Sequence, residues 1–182
     1  MLEKLLNRYL TNKKSLQPLA FSIKLVGAYI LWKILSYFLE TYQPPFWIDL
    51  QNQVAYMLVR SSSFVLQHIV GYDLIYNSRN ILIKDTEGIY VADHCLGIPA
   101  SFVFTAAILF FSGKWYHKLW YIPTGILGIC FLNTIRLSAL GITQKVGSPL
   151  AFYINHSYTF LIIIYGLIFL MVMFWMEKFS EE

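Results

Sequence analysis

Long uncharged apolar runs alternate with short polar stretches along this chain, and the lengths of those runs set the first expectation. Residues 18–40, 96–113, 119–141 and 157–176 are dominated by large apolar side chains. An α-helix needs roughly 18 or more such residues to cross a hydrocarbon layer about 30 Å thick. The pattern therefore predicts an all-α polytopic membrane protein with about four transmembrane helices. The run at 96–113 is the shortest, and Ser112-Gly113 extend it.

Between the first two runs the period changes. Across 47–70, Leu50, Val54, Met57, Leu58, Phe64, Val65 and Ile69 recur at helical spacing, while Asp49, Gln51, Asn52, Gln53, Arg60 and Ser61 to Ser63 fill much of the remainder. This is an amphipathic helix, expected to lie in the membrane interface rather than to cross. Residues 71–94 are short-period and β-like: Tyr72 to Tyr76, Ile81 to Ile83 and Ile89 to Val91, with Asp85-Thr86-Glu87-Gly88 as a turn. A short extracytoplasmic β-hairpin is expected there, because its charged residues require water.

Composition agrees with the pattern: of 182 residues, 57% are hydrophobic and 13% charged, too apolar for a water-soluble domain of this size. The net charge of +4 matters less than its placement. Lys4, Arg8, Lys13 and Lys14 crowd the arm 1–17, which reads as cytoplasmic under the positive-inside rule. An apolar run follows at once, so a nucleic-acid-binding arm is disfavoured. No small-residue cleavage pattern follows the run, so an uncleaved first span is expected rather than a secretory leader. Lys24 is placed to snorkel to the inner end, and the deeper Lys33 requires a protein-facing position or a shallow, tilted helix. The two cysteines, Cys95 and Cys130, make no disulfide framework, and Cys130 reads as a small packing residue.

Topology converts these runs into chemistry. With the arm inside and 47–70 lying flat, the hairpin is outside and Cys95 enters the membrane from the outer face. The linker 114–118 is then inside, both termini are cytoplasmic, and the protein belongs to the cell inner membrane. Arg136 lies about 25 Å beyond Leu119 at 1.5 Å per residue, near the outer face again. A crossing at 47–70 inverts every later segment.

Three reactive side chains thus meet at one boundary. Cys95 precedes the first turn of a helix, where unpaired backbone N–H groups favour a thiolate, the nucleophile of acyl transfer. Gly97 leaves room for a substrate backbone to approach. Arg136 stands in an otherwise apolar run, where charge is costly and usually functional, and Asn133 is one turn earlier on the same face. Its fork of donors suits a developing oxyanion. His156 opens the last run and can carry a proton from thiol to leaving amine, with His94 as the rival base. His68 and His117 are weaker candidates.

Cys-x-Gly opening one span, Asn-x-x-Arg late in the next and His opening the last resemble the exosortase/archaeosortase family of membrane-embedded transpeptidases, over roughly residues 81–176. The resemblance implies Cys95 as nucleophile, Arg136 as substrate or oxyanion stabiliser and His156 as acid/base group, with His94, Gly97 and Asn133 in support. It implies no metal and no cofactor. Its substrates would be exported proteins with a C-terminal recognition motif, a transmembrane helix and a basic tail, cleaved through a thioacyl enzyme that an acceptor nucleophile resolves. The chain departs from larger members in having fewer spans and no appended periplasmic domain. Two other readings remain open on the sequence. One is a non-enzymatic transporter or assembly factor with an incidental thiol. The other is a protein S-acyltransferase suggested by Asp93-His94-Cys95, although two cysteines cannot build the zinc-binding context such enzymes use.

Overall fold

The computed structural model describes residues 13–147, 149–154 and 160–179, and they are mostly helical. Helix α1 (Lys13–Tyr42) starts inside the basic arm and stops before Pro44-Pro45. Helix α2 (Pro45–Phe64) opens on a proline, whose missing N–H costs nothing at a first position, and runs on as a π-helical turn, Val65–Ile69. Strands β1 (Leu74–Tyr76), β2 (Asn80–Ile83) and β3 (Ile89–Tyr90) follow, then a 3₁₀ turn, Asp93–Cys95. The chain continues through α3 (Ile98–Phe110), α4 (Trp115–Val146), the short α5 (Pro149–Ile154) and α6 (Phe160–Lys178).

Among the described residues, α4 alone is long and apolar enough by itself to cross a membrane. Helix α3 has only 13 residues, about 20 Å, short of the hydrocarbon thickness. Its C-terminal end is closed inside the protein. Lys118 Nζ donates to the carbonyls of Phe111 at 2.7 Å and Leu109 at 3.1 Å, and Lys24 Nζ donates to Phe110 at 3.0 Å. Trp175 Nε1 donates to Ser112 at 3.2 Å. Irregular backbone in an apolar surround must find partners in protein, and here cations answer the negative end of the helix dipole. Lys118, expected in a short linker, is therefore a 7% exposed capping residue in the opening turns of α4. Lys33 takes no protein-facing position: it is exposed, its ammonium 5.8 Å from the Tyr29 ring centroid.

Four helices, α1, α3, α4 and α6, pack with antiparallel neighbours. Along α4, Lys118 meets Phe111, Gly125 meets Phe104 and Asn133 meets Gly97, so α3 runs antiparallel to it. Helix α6 is antiparallel too, with Tyr121 Oη donating to Met171 at 2.7 Å and the Tyr121 and Trp175 rings 5.1 Å apart. On α1, Lys24 lies by Phe110 and Trp32 by Phe102, so α1 is antiparallel to α3. A Cβ on Gly125 would sit 2.2 Å from Phe104 and 2.6 Å from Met171. Gly125→Ala is expected to lower stability by about 1–3 kcal/mol through overpacking. Thermal unfolding in detergent checks this against Gly128→Ala, which meets nothing within 4 Å and should leave the midpoint unchanged.

The buried face of α2 is not the stripe of large apolar residues. Ala55, Leu58, Val59, Ser62 and Ser63 are buried, while Leu50, Met57 and Phe64 are exposed. Small residues admit a close approach to α4, where Ser61 Oγ lies 2.9 Å from Thr134 Oγ1 and Ser62 Oγ donates to the Thr134 carbonyl.

Where a hairpin is expected, the structure has a three-stranded antiparallel meander, order β1-β2-β3, with Leu74 opposite Ile83 and Ile81 opposite Ile89. Leu74, Ile81, Ile83 and Ile89 face inward and Ile75, Leu82 and Tyr90 outward, as a period of two dictates. Its turn is strapped to the end of α4 by Gln144 Nε2 donating to Gly88 at 2.9 Å and by a Lys145–Asp85 pair at 3.2 Å. The stretch expected as a loop before the last span contains α5.

Two apolar clusters share α4. One joins α3, α4 and α6 through Phe104, Tyr121, Ile129 and Trp175. The other joins α2, the sheet and α4 through Leu58, Leu66, Ile81 and Leu137, and includes Cys95 and Leu96. Outside them, Ile30, Ile34, Leu127, Phe131, Phe169 and Leu170 are exposed. Large apolar side chains on the outside of a packed bundle need a partner other than water.

Candidate active site

The segment carrying Cys95 is built by its backbone. Ala92 is extended, Cys95 N–H donates to the Ala92 carbonyl at 2.9 Å and Leu96 N–H to Asp93 at 3.3 Å, which closes one tight turn. Gly97 then reverses the chain at φ 73°, a left-handed conformation that a side chain strains, and its carbonyl accepts the first helical bond from Ser101. Pro99 follows within the first turn, where it fits. Cys95 is a free thiol, 5% exposed, in the sheet-side cluster.

The turn is held from outside by a residue that sequence patterning missed. Arg79, immediately before β2, donates Nη1 to Asp93 Oδ1 at 2.6 Å, and Nε and Nη2 to Asn52 Oδ1 of α2 at 3.1 and 2.9 Å. Its carbonyl also accepts the Val91 N–H at 2.8 Å. The hydrogen bond that the guanidinium donates to Asp93 raises its pKa further above the ordinary arginine value. A charged residue beside a strand reads as ordinary solvated polarity until the fold brings Asn52 and Asp93 to it.

Gly97 and Asn133 are in contact. A Cβ placed on Gly97 would lie 2.2 Å from Asn133 Nδ2 and 3.5 Å from Ile129. The room beside Gly97 is therefore filled by Asn133, where the sequence suggested a substrate backbone. Asn133 is 1% exposed, and neither its Nδ2 nor its Oδ1 has a hydrogen-bond partner among the described residues. A buried amide left so costs about 1–3 kcal/mol. Arg136, half-buried, is one turn further along α4, flanked by Leu137 of the cluster that holds Cys95.

His94 is exposed. His156 lies outside the described residues. His68 stacks on Phe64 at 4.5 Å with Nδ1 3.2 Å from the Phe64 carbonyl, and His117 makes tilted ring contacts with Tyr116 and Phe179 at the lysine-capped end. No group of three or more His, Cys, Asp or Glu placed to hold a metal ion occurs among the described residues. Cys130 is a half-buried free thiol on α4. Beyond Arg136, an open cleft of about 510 Å³ lies between the sheet turn and the end of α4, with Thr86, Gly88, Thr143 and Gln144 among its walls.

A free thiol at the head of α3 and, on the adjoining α4, a buried amide and a half-buried guanidinium one turn apart make up the candidate site. A family model described as transmembrane exosortase matches residues 10–176. No curated protein and no solved structure matches the chain. The match spans all the packed helices and both the Cys95 turn and the Asn133–Arg136 turn, and the chain belongs to the transmembrane exosortase family, a membrane protein by that membership.

Proposed function

We propose that this protein is a membrane-embedded cysteine transpeptidase that cleaves C-terminal sorting signals of exported proteins through a thioacyl intermediate at the outer face of the membrane. The observation that carries the reading is the contact between Gly97 and Asn133, which joins the two family motifs from separate helices. Cys95 Sγ adds to the scissile carbonyl, and Arg136 holds the oxygen that becomes negative. His156 takes the thiol proton and delivers it to the leaving amine as the C–N bond breaks. An acceptor nucleophile then attacks the thioester and releases the thiol.

Depth supports this chemistry. Asn133 and Arg136 are fifteen and eighteen residues beyond the capping Lys118, about 22 and 27 Å along α4. Against a hydrocarbon layer of about 30 Å, they approach the boundary opposite the lysine-capped end. With the basic arm cytoplasmic, that boundary is extracytoplasmic, and α1, α3, α4 and α6 are the four spans. The start of α6, eleven residues before Met171, rises about 16 Å from the level of Tyr121, to the depth of Asn133. His156 is four residues before Phe160 in the sequence. The cleft beyond Arg136 offers the residues preceding the scissile bond an extended path towards water.

Mass spectrometry of the enzyme after incubation with a substrate bearing a recognition motif, transmembrane helix and basic tail tests the reading. An acyl adduct on Cys95 is expected, and its absence during turnover would sink the thioacyl route. Arg136→Lys should lower turnover by about 10²-fold, because a point charge cannot reproduce two directed donors. Full activity in that variant returns Arg136 to an anchoring role.

A further inference from the structure

Ile129, Asn133 and Leu137 recur every fourth residue on one face of α4, and all three are buried. Ile129 belongs to the helical cluster and Leu137 to the sheet-side cluster, so Asn133 sits where the two cores meet. An apolar side chain of that volume would fill the position without cost. The chain instead keeps an amide whose oxygen and nitrogen both lack partners among the described residues, so it carries a desolvation penalty that none of them repays. Local rules broken without compensation are expected where function requires them. The amide presses on Gly97, two residues from Cys95 and so at most about 7 Å from it along the chain.

We infer that Asn133 is a catalytic residue whose Nδ2–H donates to the oxyanion formed when Cys95 Sγ adds to a carbonyl. This rests on the thioacyl reading above and assigns the second donor of that site. As the C–S bond forms, the carbonyl π electrons move onto oxygen. They return when the bond to the leaving group breaks. A donor already desolvated and held by packing needs no reorganisation at that moment, and losing one such donor typically costs 10²–10³-fold in rate. Arg136, one turn further on, supplies the charge, and the neutral amide supplies direction.

Two small probes of one thiol separate this role from packing. Iodoacetamide alkylates sulfur by displacement and forms no oxyanion. p-Nitrophenyl acetate acylates it through one, releasing p-nitrophenolate. In the full-length protein in detergent, with adducts located at Cys95 by mass spectrometry, Asn133→Leu should slow acylation about 10²-fold and leave alkylation unchanged. Its unfolding midpoint should equal or exceed that of the parent. Acylation of Asn133→Leu at the parent rate overturns the assignment. So does a parallel fall of both reactions, which would make Asn133 a packing residue, and so does a parent thiol that alkylates but does not acylate. The outcome is distinguishable from the wider reading: acylation lost in Asn133→Leu, with no sorting-signal substrate ever processed by the parent, keeps the donor and removes the proposed substrate.

Discussion

Cys95→Ser is expected to leave the protein's abundance unchanged and, under the proposed thioacyl route, to lower substrate processing on the order of 10³–10⁶-fold. The substitution is small and the turn around it is made by backbone bonds from Ala92 and Asp93, so the fold has no reason to fail. What disappears is nucleophilicity. A hydroxyl near neutral pH needs stronger activation by a base than a thiol does, and its oxygen is a harder, poorer attacking atom. Immunoblotting of a tagged substrate for uncleaved precursor, alongside the protein level of the variant, measures the effect. Retained function would favour the transporter or assembly-factor reading, in which the thiol is incidental.

Gly97→Ala has the next largest effect, because one methyl group meets two obstacles. The backbone at φ 73° costs a side chain about 1–2 kcal/mol. The new Cβ also lands 2.2 Å from Asn133 Nδ2, and a side chain that is 1% exposed has no route out. Either the amide or the Cys95 turn must move. A displacement of about 1 Å at a reacting centre costs on the order of 10²-fold, so activity should fall at least that far. Adding Asn133→Ala removes the clash and should restore part of the lost stability without restoring activity. Gly166→Ala on α6 serves as control, since nothing lies within 4 Å of its Cβ. Thermal unfolding and substrate cleavage measured together separate the two contributions.

Both variants act at a junction that was half legible beforehand. The boundary character of Cys95-Leu96-Gly97-Ile98-Pro99 follows from composition alone: polar β-like residues stop, an uncharged run begins, and Gly and Pro mark the turn between. That Gly97 faces Asn133 does not follow, because residues thirty-six apart meet only when α3 folds back along α4. Lys118 shows the same limit. Expected as a linker residue, it is buried and donates to two carbonyls, with Lys24 donating to the one between them, because α4 begins earlier than the apolar run implies. The role of Arg79 is invisible to local patterning for a similar reason, its partners lying twenty-seven residues behind and fourteen ahead.

The face of α2 teaches a different lesson. In water, the apolar stripe of a helix marks the side that packs, since burial removes it from solvent. Here Met57 and Phe64 are exposed while Ser62 and Ser63 are buried. Close backbone approach and hydrogen bonds to Thr134 select small and hydroxylated residues for the helix–helix side, and hydropathy alone cannot see that preference.

The sequence by itself determined the apolar helical character, the β-like interruption and the polar-to-apolar boundary at Cys95, since each depends on residues close together in the chain and on transfer between water and lipid. Tertiary structure alone decided which helix faces meet, which lysines are consumed in closing α3, and that an amide with no partner among the described residues sits between two cores beside Gly97. Those depend on antiparallel docking of segments far apart in sequence. There, apolar surface contacts protein and lipid alike, and only shape and hydrogen bonding choose between them.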